Sequence, residues 1–185
     1  MAERVCPWWM GYFLANPLRR LMLNPESLLA PYIREGMTVL EPGPGMGFFT
    51  LPISRMVGPA GKVVAVDIQA KMLQSLRRRA QKAGTSERIE TRLVLPDSLG
   101  VGDLKGKVDF VLAFAVVHEL PSVELFFREA AAALKAGAVL LLAEPEGHID
   151  QIKFQDELKA AQDAGLEIAL RPEMSRNLAA VLRKA

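Results

Sequence analysis

The stretch Val39-Leu40-Glu41-Pro42-Gly43-Pro44-Gly45-Met46-Gly47 decides the fold, and Val64-Ala65-Val66-Asp67 completes its pattern further along the chain. An apolar strand runs into an acidic residue and then into a loop with glycine at every second position. Glycines at this spacing let the main chain turn sharply and approach a ligand with no Cβ in the way. The second apolar strand ends on a carboxylate, the place where a ribose would offer two hydroxyls. Together the two stretches predict a nucleoside-binding site at the carboxyl edge of a parallel sheet.

The glycine pattern does not fit the dinucleotide fingerprint, which needs a third glycine or an alanine for close contact between helix and strand. Counting from Gly43 places Phe48 at that position, and counting from Gly45 places Thr50 there. Both frames fail, which disfavours a nicotinamide-dependent oxidoreductase.

The chain has instead a G-x-G-x-G loop preceded by Glu41, which resembles motif I of the class I S-adenosylmethionine-dependent methyltransferases. Asp67 resembles the ribose-binding acid of that family. The resemblance covers about residues 25–185. The alternative interpretation is a glycine-rich turn in some other α/β protein, with Glu41 and Asp67 only capping helices.

Composition narrows the class of protein. The chain has 185 residues, of which 50% are hydrophobic and 24% charged, and its net charge is +2. This size suits one domain, and the charge gives no reason to expect nucleic acid as a partner. The basic cluster Arg77-Arg78-Arg79 is interpreted as a solvated helix face. A lone Cys6 and only two histidines predict no disulfide within the chain, no metal site and a cytoplasmic location. No apolar run approaches the ~18 residues that a membrane span needs.

Strand and helix signals alternate along most of the chain, which predicts βαβ units. We expect an α/β fold, a doubly wound and mostly parallel seven-stranded sheet in a three-layer sandwich. The last two strands are close enough to form an antiparallel hairpin, as the methyltransferase sheet does. Predicted strands cover residues 38–41, 62–66, 89–95, 108–115, 138–143, 166–170 and 178–182, and predicted helices cover 48–56, 69–83, 151–164 and a segment between a Ser122 N-cap and 135–137.

The resemblance implies S-adenosylmethionine as cofactor and S-adenosylhomocysteine as product. It places the cofactor's amino group at Glu41, its carboxylate at the loop Gly43–Gly47 and its ribose at Asp67. Ile68 would pack on the adenine. Asp97 would accept from the adenine amino group, or would only form a turn with Pro96. The expected cofactor-binding residues are therefore Glu41, Gly43, Gly45, Gly47, Asp67, Ile68, Asp97, Ser98 and Phe114.

Two further strand ends carry polar side chains that could meet a substrate. His118 follows the fourth strand and is interpreted as a general base, as a group that positions substrate, or as a brace for the next helix. Glu144 and His148 follow the fifth strand and either contact substrate or only break the strand. In the N-terminal segment, residues 1–24, Trp9 and Tyr12 belong to an aromatic-rich stretch that is either a lid over the site or a docking segment.

The expected activity is transfer of a methyl group to a small-molecule acceptor by in-line displacement. The pattern is closest to the branch that holds quinone-biosynthesis and arsenite methyltransferases, and a single cysteine disfavours arsenite. The alternative from another class is a non-catalytic, regulatory module that binds S-adenosylmethionine. Whether the protein is a monomer or a homodimer is left open.

Overall fold

The computed structural model of the protein describes residues 23–185. The predictions for Trp9, Tyr12 and the N-terminal segment lie outside these residues, apart from residues 23 and 24. No helix within the described range is long and apolar enough to cross a membrane.

Seven strands form one sheet in the order β3-β2-β1-β4-β5-β7-β6. The pairings of β1 with β2, β2 with β3 and β4 with β5 are parallel, whereas β7 pairs antiparallel with β5 and β6. This confirms the predicted mostly parallel α/β sheet with an antiparallel C-terminal pair. The described chain divides into two compact units, 23–94 and 95–185, and each is described by itself.

The first unit alternates helices and parallel strands. Its inner strands are apolar almost throughout, as expected of strands covered on both faces. The Val64 and Ala65 side chains are fully buried, and Ala65 packs with Leu73 and Leu76 of the following helix. The elements are α1 Pro25–Leu29, β1 Thr38–Pro42, α2 Thr50–Met56, β2 Lys62–Asp67, α3 Ala70–Lys82 and β3 Ile89–Leu93.

The second unit contains the antiparallel part of the sheet. Ser122 caps its first long helix by accepting a hydrogen bond from Leu125 N at 3.2 Å, which confirms the predicted N-cap. The last helix begins after Asp150, whose Oδ1 accepts from Lys153 N at 2.9 Å, and Gly165 follows its end with a φ of 85°. The elements are β4 Val108–Phe114, α4 Val123–Ala133, β5 Leu134–Pro145, α5 Gln151–Asp163, β6 Leu166–Leu170 and β7 Asn177–Lys184.

The junction between α4 and β5 differs from the prediction. The sequence predicts a helix closed by residues 135–137 and a strand from 138, but α4 ends at Ala133 and β5 begins at Leu134. Leu134 continues the apolar stripe of α4, yet its ψ of 142° is extended. It pairs with Val108 of β4, and the register then shifts before Phe110 pairs with Val139. Strand pairing therefore decides the conformation of Leu134, and the helical period does not.

Candidate functional site

The loop after β1 is built on three glycines with positive φ. The φ angles are 64° at Gly43, 54° at Gly45 and 90° at Gly47, in the left-handed region that favours glycine. Gly43 N donates to Val66 O of β2 at 2.9 Å, and Gly47 N donates to Pro44 O at 3.0 Å. The loop is therefore anchored to the neighbouring strand and folded back on itself, at the carboxyl end of β1.

Two glycines of this loop have different structural reasons for lacking a side chain. A Cβ at Gly47 would lie 2.6 Å from Leu76 Cδ1, so Gly47 allows α3 to pack closely on the loop. A Cβ at Gly45 would meet no atom of the described residues, 23–185, within 4 Å. Gly45 leaves an open approach to the backbone.

Arg79 holds the loop in place from α3. Its Nη1 donates to Met46 O at 2.8 Å. Its neighbour Arg77 donates from Nε to Thr91 Oγ1 at 2.6 Å. The interpretation of the basic cluster as a solvated face fits Arg77 and Arg78, which are exposed, and is wrong for Arg79, which is half-buried and bonds to the glycine loop. A basic residue three positions after the buried Leu76 was the available signal for Arg79.

Glu41, the last residue but one of β1, is a buried carboxyl group. The residue is 3% exposed, and within residues 23–185 its Oε2 has no hydrogen-bond partner. Burial raises the pKa of Glu41 to about 7, the Thr50 hydroxyl opposes the rise, and the charge of Asp67 adds to it. A buried carboxylate oxygen without a hydrogen-bond donor costs free energy, and a bond from a cationic donor would lower that cost.

Asp67 ends β2, as the sequence predicts. It is 9% exposed, and its Oδ1 accepts from Gln69 N at 2.8 Å, just before α3. Ile68 follows it and is half-buried. Asp67 therefore shapes the turn that leads into α3 but does not cap the helix, whose N-cap residue is Gln69. A carboxylate can accept several hydrogen bonds at once.

Three polar side chains meet in the second unit, at the ends of β4 and β5. Glu144 is fully buried, and its Oε1 accepts from Val116 N at 3.2 Å and from Val117 N at 2.8 Å. Its Oε2 bonds to His118 Nδ1. His118 Nε2 lies 3.1 Å from His148 Nδ1, with the two rings nearly perpendicular at 82°. The structure thus brings together the three substrate candidates that lie in its described part.

Two more acids act on this group. Glu119 Oε1 lies 3.9 Å from His118 Nε2, and Glu157 of α5 is 4% exposed. Burial and the charge of Glu144 raise the pKa of Glu157 to about 8. Burial lowers the pKa of His118, but its bond to Glu144 and the charges of Glu144 and Glu119 outweigh burial and raise it overall. The sequence does not single out Glu157, although a charged residue three positions after Phe154 lies on the same face of a helix.

The remaining predicted cofactor residues are in the second unit. Asp97 is exposed and Phe114 is half-buried at the end of β4. Ser98 Oγ donates to the Glu129 carboxylate, at 3.3 Å from Oε1, and Leu99 N donates to Glu129 Oε2 at 2.6 Å. Ser98 and Glu129 therefore fix the turn that follows Asp97. The cofactor roles of Asp97, Ser98 and Phe114 stay predictions.

An open groove of about 610 Å³ lies in the second unit. Its lining includes Glu146 and Gln151, which flank His148 in the sequence, and Arg171 and Arg176 from the link between β6 and β7. Arg176 has a φ of 59°, and its carbonyl accepts from Glu146 N at 3.1 Å, so this link is tied to the end of β5. The volume is within the range of small-molecule pockets.

The strand order, the glycine loop after β1 and the buried acids at the ends of β1 and β2 define an α/β domain of the nucleoside-binding class. Residues 33–180 match the family model described as a methyltransferase domain. The chain belongs to this methyltransferase family, as the resemblance predicts.

Curated relatives agree with this assignment, and a solved structure shows the same fold. The chain is 33% identical over 149 residues to a ubiquinone biosynthesis O-methyltransferase of Paramagnetospirillum magneticum, covering 72% of this chain and 56% of the relative. It is 31% identical over 156 residues to a ribosomal protein L11 methyltransferase of Pelotomaculum thermopropionicum, covering 84% of this chain and 46% of the relative. The chain thus spans about half the length of these curated relatives. A structure of a SAM-dependent methyltransferase from Aquifex aeolicus shares the fold, with a TM-score of 0.86, 24% identity and coverage of 98% of this chain and 100% of that one.

Proposed function

We propose that this chain transfers a methyl group from S-adenosylmethionine to a small-molecule acceptor. The observation that carries the proposal is the buried Glu41 carboxylate, whose Oε2 has no hydrogen-bond partner among residues 23–185, beside a loop of three positive-φ glycines. Such a group suits an α-ammonium donor, and the open backbone at Gly45 suits a carboxylate bound by N–H groups. Family membership supports the same cofactor.

The residues of the first unit would hold the cofactor. We assign the amino group to Glu41, the carboxylate to the loop Gly43–Gly47, the ribose hydroxyls to Asp67 and the adenine face to Ile68. The cofactor supplies an activated methyl group, so the protein has mainly to align the acceptor and exclude water. Alignment of this kind lowers a barrier by roughly 7–11 kcal/mol in favourable cases.

A small-molecule acceptor is favoured by the groove of the second unit and by the relative named for ubiquinone biosynthesis. The relative named for ribosomal protein L11 makes a protein acceptor the competing class. A non-catalytic cofactor-binding module is the competing function. Cytoplasmic location, and a monomeric or homodimeric state, remain proposals that rest on the sequence.

Calorimetric titration tests the cofactor assignment. We expect S-adenosylmethionine and S-adenosylhomocysteine to bind the wild-type chain, and NAD and NADP to give no signal. Asp67→Ala removes a charged acceptor for the ribose hydroxyls, worth roughly 1.5–3 kcal/mol, so affinity should fall about ten- to a hundredfold. Because Asp67 also bonds Gln69 N, a melting curve of the variant must show that it is folded. Nicotinamide binding without S-adenosylmethionine binding would overturn the assignment.

A further inference from the structure

The glycine loop after β1 rests on one face of α3. Leu76 and Arg79 are three positions apart in this helix, so their side chains lie on the same face. A Cβ at Gly47 would lie 2.6 Å from Leu76 Cδ1, and Arg79 Nη1 donates to Met46 O at 2.8 Å. Arg79 is half-buried and Met46 is 4% exposed, so the bond is partly shielded from water. One helix thus supplies the loop with both an apolar support and a charged hydrogen-bond donor.

The bond from Arg79 completes the anchoring of one peptide group. The carbonyl of the Met46–Gly47 peptide accepts from Arg79, and its N–H donates to Pro44 O at 3.0 Å. No backbone acceptor within residues 23–185 takes the N–H of Gly45 or of Met46. The loop therefore directs the Met46 oxygen at α3, while two successive N–H groups remain available to an anionic ligand.

Sterics alone do not hold this peptide in its present orientation. Gly47 has a φ of 90°, and a glycine adopts negative φ about as readily, so the Met46–Gly47 peptide could turn over. A peptide that has turned over would no longer direct its oxygen at α3, and it would lose the bond from Gly47 N to Pro44 O. A carbonyl oxygen released into the loop would repel a carboxylate at the neighbouring N–H groups. The orientation of this peptide therefore matters for binding an anion, and Arg79 helps to select it.

We propose that Arg79 is a positioning residue for the cofactor. Through Met46 O it holds the glycine loop in the orientation that binds the carboxylate of S-adenosylmethionine, and it thereby sets the affinity for the cofactor. This inference rests on the proposed methyl transfer, in which the loop Gly43–Gly47 takes that carboxylate. The contribution of Arg79 is preorganisation of the loop before the ligand arrives.

The arginine cluster on α3 supplies a matched control. A hydrogen bond from a cationic donor is stronger than one between neutral groups, so Arg79 is well suited to anchor a carbonyl. Arg77, two positions earlier, bonds instead to Thr91 Oγ1 of β3. Arg78 is the next residue in the sequence and is exposed. Substitution of Arg78 therefore removes the same charge from the same helix without removing the bond to the loop.

Calorimetry on these variants tests the inference. Arg79→Met keeps an apolar stem and a similar helix propensity but removes the donor. We expect it to bind S-adenosylhomocysteine about tenfold more weakly, which corresponds to a loop that is competent to bind about one tenth of the time. Arg78→Met should bind this ligand as the wild type does. Arg79→Lys restores a cationic donor and should recover most of the affinity.

A second ligand separates positioning of the loop from a general loss of structure. The compound 5′-methylthioadenosine has the adenosine and the sulfur of S-adenosylhomocysteine but lacks the amino-acid end. Its dissociation constant, measured directly or by competition, should be the same for Arg79→Met and wild type, because it does not use the carboxylate site of the loop. In turnover, the KM for S-adenosylmethionine should rise about tenfold in Arg79→Met with kcat unchanged, the pattern of lost uniform binding.

Nuclear magnetic resonance of the free protein tests the anchoring without any ligand. In Arg79→Met the amide signals of Gly45 and Gly47 should shift or broaden, because the peptide between residues 46 and 47 then exchanges between two orientations. The same signals should be unchanged in Arg78→Met. Unchanged signals in a folded Arg79→Met protein would show that the bond from Arg79 does not hold the loop.

Two binding results would overturn the inference. One is wild-type affinity of Arg79→Met for S-adenosylhomocysteine, and the other is an equal loss of affinity for S-adenosylhomocysteine and 5′-methylthioadenosine. If melting curves show that Arg79→Met does not fold, Arg79→Gln takes its place with the same ligands and the same expectations. A wild-type protein that binds neither ligand contradicts the proposed function instead, and the amide signals of the free protein still decide whether Arg79 anchors the loop.

Discussion

Gly45→Val should abolish S-adenosylmethionine binding, whereas Gly84→Val should leave it unchanged. The two glycines have similar backbones, with φ of 54° and 67°, and in the part of the chain that the structure describes a Cβ at either one would meet no atom within 4 Å. Both variants therefore carry a comparable backbone strain of roughly 1–2 kcal/mol. Only the side chain at Gly45 would intrude on a ligand held by the loop. Gly84 lies at the end of α3, away from the glycine loop in the sequence.

The measurement combines calorimetry with melting curves on both variants. We expect melting temperatures lowered by a similar amount, at roughly 2–4 °C per kcal/mol for a domain of this size. Affinity should fall at least a hundredfold for Gly45→Val, about 2.8 kcal/mol. Native affinity in a folded Gly45→Val protein would show that the loop is only a turn. Gly47 is unsuitable for this test, since its Cβ would strike Leu76 and disturb packing.

Glu41→Gln should stabilise the free protein and weaken cofactor binding. The pKa of Glu41 is about 7 in the folded protein, above its ordinary value of 4.5, so the folded state holds a proton between these pH values that the unfolded state has released. The free energy of unfolding therefore falls as pH rises from 4.5 to 7. Above pH 7 the ionised carboxylate costs about 3 kcal/mol, an upper bound on what the amide can recover.

Denaturant unfolding and calorimetry at several pH values measure both effects. At pH 8 we expect Glu41→Gln to be more stable than wild type by about 1–3 kcal/mol, and the gap should close near pH 4.5. Loss of the charged hydrogen-bond acceptor should lower the affinity for S-adenosylmethionine about ten- to a hundredfold. Wild-type affinity should rise with pH through 7, and the affinity of the variant should not.

Glu157→Gln is the matched control for this variant. Its carboxyl group is also buried and has a pKa raised to about 8, so the same change should stabilise the protein at high pH. It should leave cofactor affinity as it is. If Glu157→Gln lowers the affinity for the cofactor as much as Glu41→Gln does, then the loss of any buried charge explains the effect. Glu41 would then not lie at the amino group of the cofactor.

Much of the fold could be predicted because short-range signals agree with the tertiary structure. The glycine loop, the Ser122 cap and Gly165 after α5 each act within a few residues, and all are present. The error at Leu134 arose where two signals disagree. Its position continues a helical stripe, but its partner Val108 is distant in the chain, and the sequence does not show that pairing.

The candidate site was predictable only in part, for the same physical reason. Parallel strands end at a common edge, so His118 and Glu144 could be expected near each other. The order of their bonds could not, since His148 lies thirty residues from His118 and the orientation of Glu144 depends on the backbone donors of Val116 and Val117. The close approach of Leu76 to Gly47 is likewise a property of helix packing, which the spacing of the glycines does not reveal.

The most direct test of the central claim is the fate of the methyl group. The wild-type chain is incubated with methyl-labelled S-adenosylmethionine and, separately, with the small-molecule and the protein fractions of a cell extract, and products are followed by mass spectrometry. We expect the label in a small-molecule product, with S-adenosylhomocysteine formed in equal amount. Tight binding of S-adenosylmethionine with no label transferred to any molecule would contradict the claim that the chain is a methyltransferase. It would identify a non-catalytic binding module.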